Sequence, residues 1–331
     1  MDDGTFDISS SYELDRDIFG IDDDPEDAAR PLISDADRAL LDRECPAEPV
    51  PTAPVIAPPH RAPWPLYDVR ALMERPFFSL SSRIRQSPID YASPCGRWRL
   101  HAAPAHERGV ASIRDAELLI LIVSQLIHEQ PPNRTVPEVV HLKPRKLMQA
   151  RGLTGSGREY MLLRASLERL QGTRYTTNIQ PNGYPGGEQT FALIDEVTFG
   201  ASRGHLRVKL SHWLRTALAK RDVLRLSEAY LHIPGNYERW LYRVVRKHVG
   251  PQPHFQMSVS TLWEKSGKGS PLPRFKHELR KIVQTNALPD YGVYWLDREK
   301  QEPIVAMGPR RGAFEKKRRT ASDDPALGEW G

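Results

Sequence analysis

Only two cysteines, Cys45 and Cys95, stand among the 331 residues, with no pairing pattern and no His or Cys close enough for a zinc knuckle. That excludes a disulfide scaffold and a cysteine-based metal site, and it fits a reducing compartment. Long apolar runs are missing too. The longest, Leu118–Val123, falls far short of the roughly 20 residues that span a bilayer. The opening MDDGTFDISS has neither the basic start nor the apolar core of a secretory signal. A soluble, cytoplasmic protein with no membrane partner is expected.

Catalytic signatures are equally scarce. No G-x-x-x-x-G-K-[ST] phosphate loop occurs; GLTGSGRE (Gly152–Glu159) is Gly-rich but lacks the Lys-[Ser/Thr] pair and reads as a turn. The eleven histidines are dispersed, and none forms the His-x-His that a metal-dependent, tyrosine-using nickase places on a strand. Asp195 and Glu196, adjacent on an expected strand, would point to opposite faces and fail to share a metal. No enzyme, cofactor or metal site is expected.

What the chain does have is charge, unevenly spread. Residues 1–60 carry 16 Asp and Glu against 4 Arg, whereas residues 61–331 carry 26 acids against 43 Lys and Arg. A basic body behind an acidic tail suits nucleic acid or another polyanion as partner; the plainer reading is a soluble protein with a charged tail. Hydrophobic residues make up 39%, and eight of the 29 prolines fall between Pro46 and Pro65. Residues 1–65 therefore read as a disordered acidic, Pro-rich arm. Such an arm would compete with DNA for the basic body.

Beyond the arm one pattern occurs twice. In the first copy Asp115, an N-cap candidate, precedes the nearly all-apolar helix AELLILIVSQLIHEQ; Thr135–His141 and the helix PRKLMQA follow. A third helix, Arg158–Gln171, sets Tyr160, Leu163, Leu167 and Leu170 on one stripe, before strand-like TRYTTNI, the loop PNGYPGGE, FALIDEVTF and HLRVKLS. In the second copy Asn236 caps YERWLYRVVRKHVG, then come FQMSVS, TLWEKSG and a helix from Pro271 to Asn286 capped by Ser270, with the hairpin YGVYWL–PIVAMG last. Trp213–Ile233 between them reads as helical connections. Three helices and a hairpin, repeated, predict an α+β fold: two tandem winged-helix domains, each a helix-turn-helix plus a β-hairpin wing. The expected boundaries are 66–232 for the first, serving DNA backbone and self-association, 233–309 for the second, serving DNA reading, and 310–331 for a flexible basic tail.

The Pro271–Asn286 helix is the sharpest functional signal. Leu272, Phe275, Leu279, Ile282 and Val283 fall on one face; Arg274, His277, Lys281 and Gln284, flanked by Arg280, fall on the other. An apolar back and long donors in front suit a major-groove reader, although a solvated basic face has the same pattern. The first domain's third helix shows Arg158, Met161, Leu162, Ala165 and Arg169 outward, a half-apolar stripe suited to backbone and protein contacts. Lys143, Arg145 and Lys146, together with Lys268 and with Arg239, Arg243, Arg246 and Lys247, suit phosphates. The wings Pro181–Glu188 and Asp297–Glu302 would touch a neighbouring groove, the second weakened by its acids. The run Arg310, Arg311, Lys316–Arg319 would grip phosphates or merely solubilise the end.

Taken in order, ERPFFSLSSR (Glu74–Arg83), RDAELLILIVSQLI (Arg114–Ile127), REYMLLRASLERLQGTRYTTNI (Arg158–Ile179), FALIDEV (Phe191–Val197), KLSHWLRTALA (Lys209–Ala219), YERWLYRVVRKHVG (Tyr237–Gly250) and SGKGSPLPRFKHELRKIV (Ser266–Val283) resemble the replication initiator protein A family of bacterial, especially alphaproteobacterial, plasmids. The resemblance spans about residues 74–308 and leaves the arm outside. It implies a tandem winged-helix initiator that binds repeated sites in double-stranded origin DNA, helps open the origin, and recruits the host initiator and replicative helicase. Self-association as a homodimer through the first domain is implied as well. A winged-helix transcriptional repressor with no replication role is the alternative; an origin-nicking enzyme lacks its motifs.

Overall fold

The computed structural model describes residues 62–129, 135–200, 204–250, 252, 254–298 and 300–310. Most of the acidic arm, all of the basic tail beyond Arg310, and Ala201–Arg203 lie outside the described residues. The arm's last four positions are part of the fold: Ala62 and Trp64 are buried. Ordered packing thus begins ahead of the expected Leu66.

The strands are β1 (Leu66–Val69), β2 (Ile89–Ala92), β3 (Arg99–Ala103), β4 (Val139–Leu142), β5 (Arg174–Ile179), β6 (Pro185–Phe191), β7 (Ile194–Phe199), β8 (Leu206–Leu210), β9 (Val223–Leu226), β10 (Phe255–Ser258), β11 (Tyr291–Leu296) and β12 (Ile304–Pro309). The helices are α1 (Ile113–Glu129), α2 (Pro144–Ala150), α3 (Gly157–Gly172), α4 (His212–Ala219), α5 (Asn236–Val249), α6 (Val259–Lys265) and α7 (Leu272–Thr285). The fold is mixed α+β, with helices packed among several small sheets.

The repeat read from the sequence has a structural counterpart. Apart from β5 and β6, which are inserted after α3, α1, β4, α2, α3, β7 and β8 follow one another in the first half, and β4-β8-β7 form an antiparallel sheet. In the second half α5, β10, α6, α7, β11 and β12 do the same, with the sheet β10-β12-β11. In both sheets the last strand lies between the first and the second.

The expected first wing needs correction. FALIDEVTF is not one strand: it is cut at Ala192–Leu193 between β6 and β7. β6 pairs with β5, and both join β2 and β3 in a four-stranded sheet. Pro181–Glu188 therefore belongs to that extra sheet, and the hairpin equivalent to β11–β12 is β7–β8. The segment between the halves is not only helical: β9 pairs antiparallel with β1 and returns the chain to its start.

Helix starts differ from expectation by one to three residues, within the usual fraying of helix ends. α1 begins at Ile113; Asp115 sits in its first turn and accepts from the Ser112 amide at 2.7 Å. Gly235, not Asn236, is the N-cap of α5, and Pro271, not Ser270, that of α7. Asn236 instead donates to the Leu80 carbonyl at 3.2 Å and accepts from Arg114 at 2.9 Å. Periodicity located the helices well; α2 spans the expected PRKLMQA.

One hydrophobic core runs through both halves, from Leu66 and Leu118 to Phe275 and Val305. α1 is buried on all sides along Leu118–Val123, as its unbroken apolar run predicts.

Candidate nucleic-acid interface

Helix α7 forms as its pattern dictates. Phe275, Leu279 and Ile282 are buried, with Leu272 and Val283 half-buried beside them. Phe275 packs edge-on against Tyr237 and Trp240 of α5, which fixes the helix to the body. Arg274, His277, Arg280, Lys281 and Gln284 are exposed. The Arg280 guanidinium lies over the Trp295 ring of β11 at 4.5 Å, a cation–π contact that aims it along the helix flank. The one acid on this helix, Glu278, approaches Lys281 at 3.7 Å.

Both ends of α7 are anchored. Ahead of it Trp263 Nε1 donates to the Ser270 carbonyl at 2.7 Å, and the Tyr237 hydroxyl meets Ser270 Oγ at 3.0 Å. Lys268 is exposed at φ 49°, with its Nζ 5.2 Å from the Trp263 ring. Behind it Asn286 takes the left-handed conformation (φ 43°) that ends the helix, and its Oδ1 accepts from the Val293 amide at 3.0 Å. Helix and hairpin are thereby held in one geometry.

In the hairpin loop Arg298 donates to the Glu302 carbonyl at 3.1–3.2 Å. The Glu302 carboxylate turns inward and accepts from the Ser260 amide at 2.6 Å, at the start of α6. That turns one of the acids of Asp297–Glu302 away from the loop's outer side. Lys300 stays exposed.

In the first half Lys143, Arg145 and Lys146 are exposed around the start of α2. α3 opens with a capping box, in which Ser156 Oγ accepts from the Glu159 amide and Glu159 reaches back to the Ser156 amide. Hydrogen bonds to Glu159 from the Ser156 and Gly155 amides and the Thr154 hydroxyl hold its pKa down at about 2. GLTGSGRE, read as a turn, is a turn that runs into the capped start of α3 at Gly157. Arg158, Met161, Leu162 and Arg164 are exposed on α3. Arg164, which the sequence reading passed over, sits 4.9 Å over Phe199 and 3.0 Å from Glu168; its spacing of four from Glu168 was the available signal.

Five bases expected to meet phosphate face inward, and that is a correction. Arg239 is buried and pairs with Glu117 of α1. Arg243 is buried and pairs with Asp68 of β1 at 2.6 Å, also donating to the Leu72 carbonyl at 2.8 Å. Lys247 reaches Glu74 at 3.1 Å, and Arg246 donates to the Arg225 carbonyl at 2.8 Å. Arg169 makes a two-pronged pair with buried Asp115 at 2.7 and 2.8 Å. Such charges leave water only with a partner, and each of these has one.

Glu74 is the hub of this inner network. Arg75, Lys247, His248 and Lys265 surround its buried carboxylate. Burial alone would raise its pKa, but Arg75, Lys247, Lys265 and the His248 hydrogen bond outweigh that and hold it well below the usual 4.5.

Asp195 and Glu196 also depart from plain strand alternation. A register shift between Ile194 and Glu196 interrupts the strand's alternation, and both side chains are exposed, with their field reaching Lys209. Among the described residues no three His, Cys, Asp or Glu cluster as metal ligands, and no helix is long and apolar enough to cross a membrane.

Comparison with known proteins adds three likenesses. Residues 67–293 match the family described as Replication initiator protein A. A protein of Wigglesworthia glossinidia brevipalpis named "Putative replication protein" is 33% identical over 231 residues, covering 67% of this chain and 82% of that one. Two crystal structures of domains 2 and 3 of RctB share the fold, with TM-scores of 0.51 and 0.50 at 14% and 13% identity. They cover 70% and 75% of this chain and 95% and 99% of theirs.

Proposed function

Because the chain belongs to the replication initiator protein A family, we propose that it binds repeated duplex sites in a replication origin, helps to open them and recruits host replication proteins. It does so without catalysis of its own, as a tandem pair of winged-helix modules, 66–232 and 233–309. The observation that carries the DNA-binding role is α7: an apolar back locked to α5 and an exposed row of Arg274, His277, Lys281 and Gln284. Arg and Lys donate to guanine O6 and N7, and Gln pairs with adenine N6 and N7, so this row has the chemistry of direct major-groove readout. Lys143, Arg145, Lys146 and Lys268 add sequence-independent contacts to phosphate. Pairing of two copies through the first module belongs to the same proposal.

Footprinting on the DNA that flanks the gene tests this reading. Protection of short direct repeats, together with loss of replication when the gene is deleted from a plasmid carrying them, is the expected result. No protected repeats, or replication indifferent to the deletion, would overturn it. Protection at a promoter alone would favour a transcriptional repressor. Supercoiled plasmid incubated with the protein and Mg²⁺ should stay uncut.

A further inference from the structure

We propose that α3 reads thymine methyl groups through Leu162 and Met161, so that the first module selects thymines while α7 selects bases by hydrogen bonds. This rests on the duplex-binding reading above. Leu163, Leu167 and Leu170 are buried on α3 at intervals of four and three, the intervals that separate Phe275, Leu279 and Ile282 on α7. Aligned on these positions, Leu162 stands where Arg274 does, and Ala165 where His277 does. Arg169 stands where Lys281 does, but Asp115 draws it inward. The first half therefore presents Leu and Ala where the second presents Arg and His, and at the place of Lys281 an Arg already committed to Asp115.

Met161 and Leu162 are 61% and 58% exposed, more than almost every other large apolar side chain described. The charges around them decide what covers them. Arg158 lies on the same stripe, Arg164 lies beside it, and Lys143, Arg145 and Lys146 crown the preceding helix. The nearby acids are already engaged: Glu159 by the amides of its own helix start, and Glu168 by Arg164 and Arg108. An apolar protein surface placed here would bury several cations unpaired, whereas DNA supplies phosphate for them. On the floor of the major groove the C5 methyl of thymine is the apolar group a Leu or Met side chain meets.

The test uses the full chain and duplexes it selects from a random pool. Each thymine is replaced in turn by deoxyuridine, which removes the methyl and keeps the pairing. One or two replacements should each weaken binding about fourfold, the size of one methyl group withdrawn from water. In Leu162→Ala protein the same replacements should cost little or nothing, while Arg274→Ala protein keeps the full deoxyuridine effect. Neutral replacements at every thymine, with Arg274→Ala still weakening binding, would overturn the proposal and leave the DNA-binding reading standing. So would Met161→Ala and Leu162→Ala proteins that bind DNA normally but sediment as a smaller species, since the stripe would then be a protein contact. A pool that yields no enriched duplex would overturn the functional reading and this proposal with it.

Discussion

Helices α5 and α7 are each 14 residues long and each carries four Lys and Arg, yet the two sets of charges have opposite roles. On α5 Arg239, Arg243 and Lys247 turn inward onto Glu117, Asp68 and Glu74, and Arg246 is tied to a backbone carbonyl. On α7 Arg274, Arg280 and Lys281 stay in solvent. Composition does not separate these helices. What separates them is whether carboxylates elsewhere in the chain arrive to meet the charge, since a buried guanidinium without a counter-ion is untenable.

The sharpest way to break the comparison is to remove one inner charge. Arg243→Met should destabilise the fold by about 3–5 kcal/mol, because Asp68 is left buried and unpaired; a urea titration reads it, and Asp68→Leu added to Arg243→Met should restore much of the loss. A loss under 1 kcal/mol would mean the pair is not as dry as it looks. The Glu74 hub adds a pH signature. Its carboxyl is depressed below 4.5 in the fold, so its contribution is complete above that value and fades as pH falls through the depressed pKa. Glu74→Gln should therefore lower Tm at neutral pH and flatten its acid-side fall; an unchanged acid limb would count against the hub.

Outer charges should behave the other way. Arg274→Ala or Lys281→Ala should weaken specific duplex binding by about 1–3 kcal/mol and relax preference at one base pair, with Tm unmoved. If instead Tm falls as it does for Arg243→Met, the two helices are not different after all. Smallest of all, Lys143→Ala, Arg145→Ala and Lys146→Ala should each reduce binding evenly across sequences and lower the salt slope by about one; a base-specific change would make α2 a reader.

The contrast also marks what was legible in the sequence. Periodicity located α1, α2, α3, α5 and α7, and it divided α7 correctly into an apolar back and an exposed front. Local chemistry was enough there, because one helix contains both faces. The inner partners were not legible: Arg239 meets Glu117 at a separation of 122 residues and Arg243 meets Asp68 at 175, and periodicity carries no memory over such distances. For the same reason β1 with β9, and β2 with β3, went unseen or were read as connection. FALIDEVTF was read as one strand because its pattern looks continuous, while Ala192–Leu193 changes sheets inside it.

The Glu74 hub has a practical consequence for anyone who would cut this chain at its apparent seam. Asp68, Glu74 and Glu117 all precede residue 233, whereas Arg239, Arg243, Lys247 and Lys265 all follow it. A fragment starting at the seam would inherit the cations without their anions, and its α5 would be a charged surface where a core should be. Helix α7 is thus no portable cassette. Any piece that carries it in a folded state needs Asp68, Glu74 and Glu117 from one side of the seam as well as Arg239, Arg243, Lys247 and Lys265 from the other.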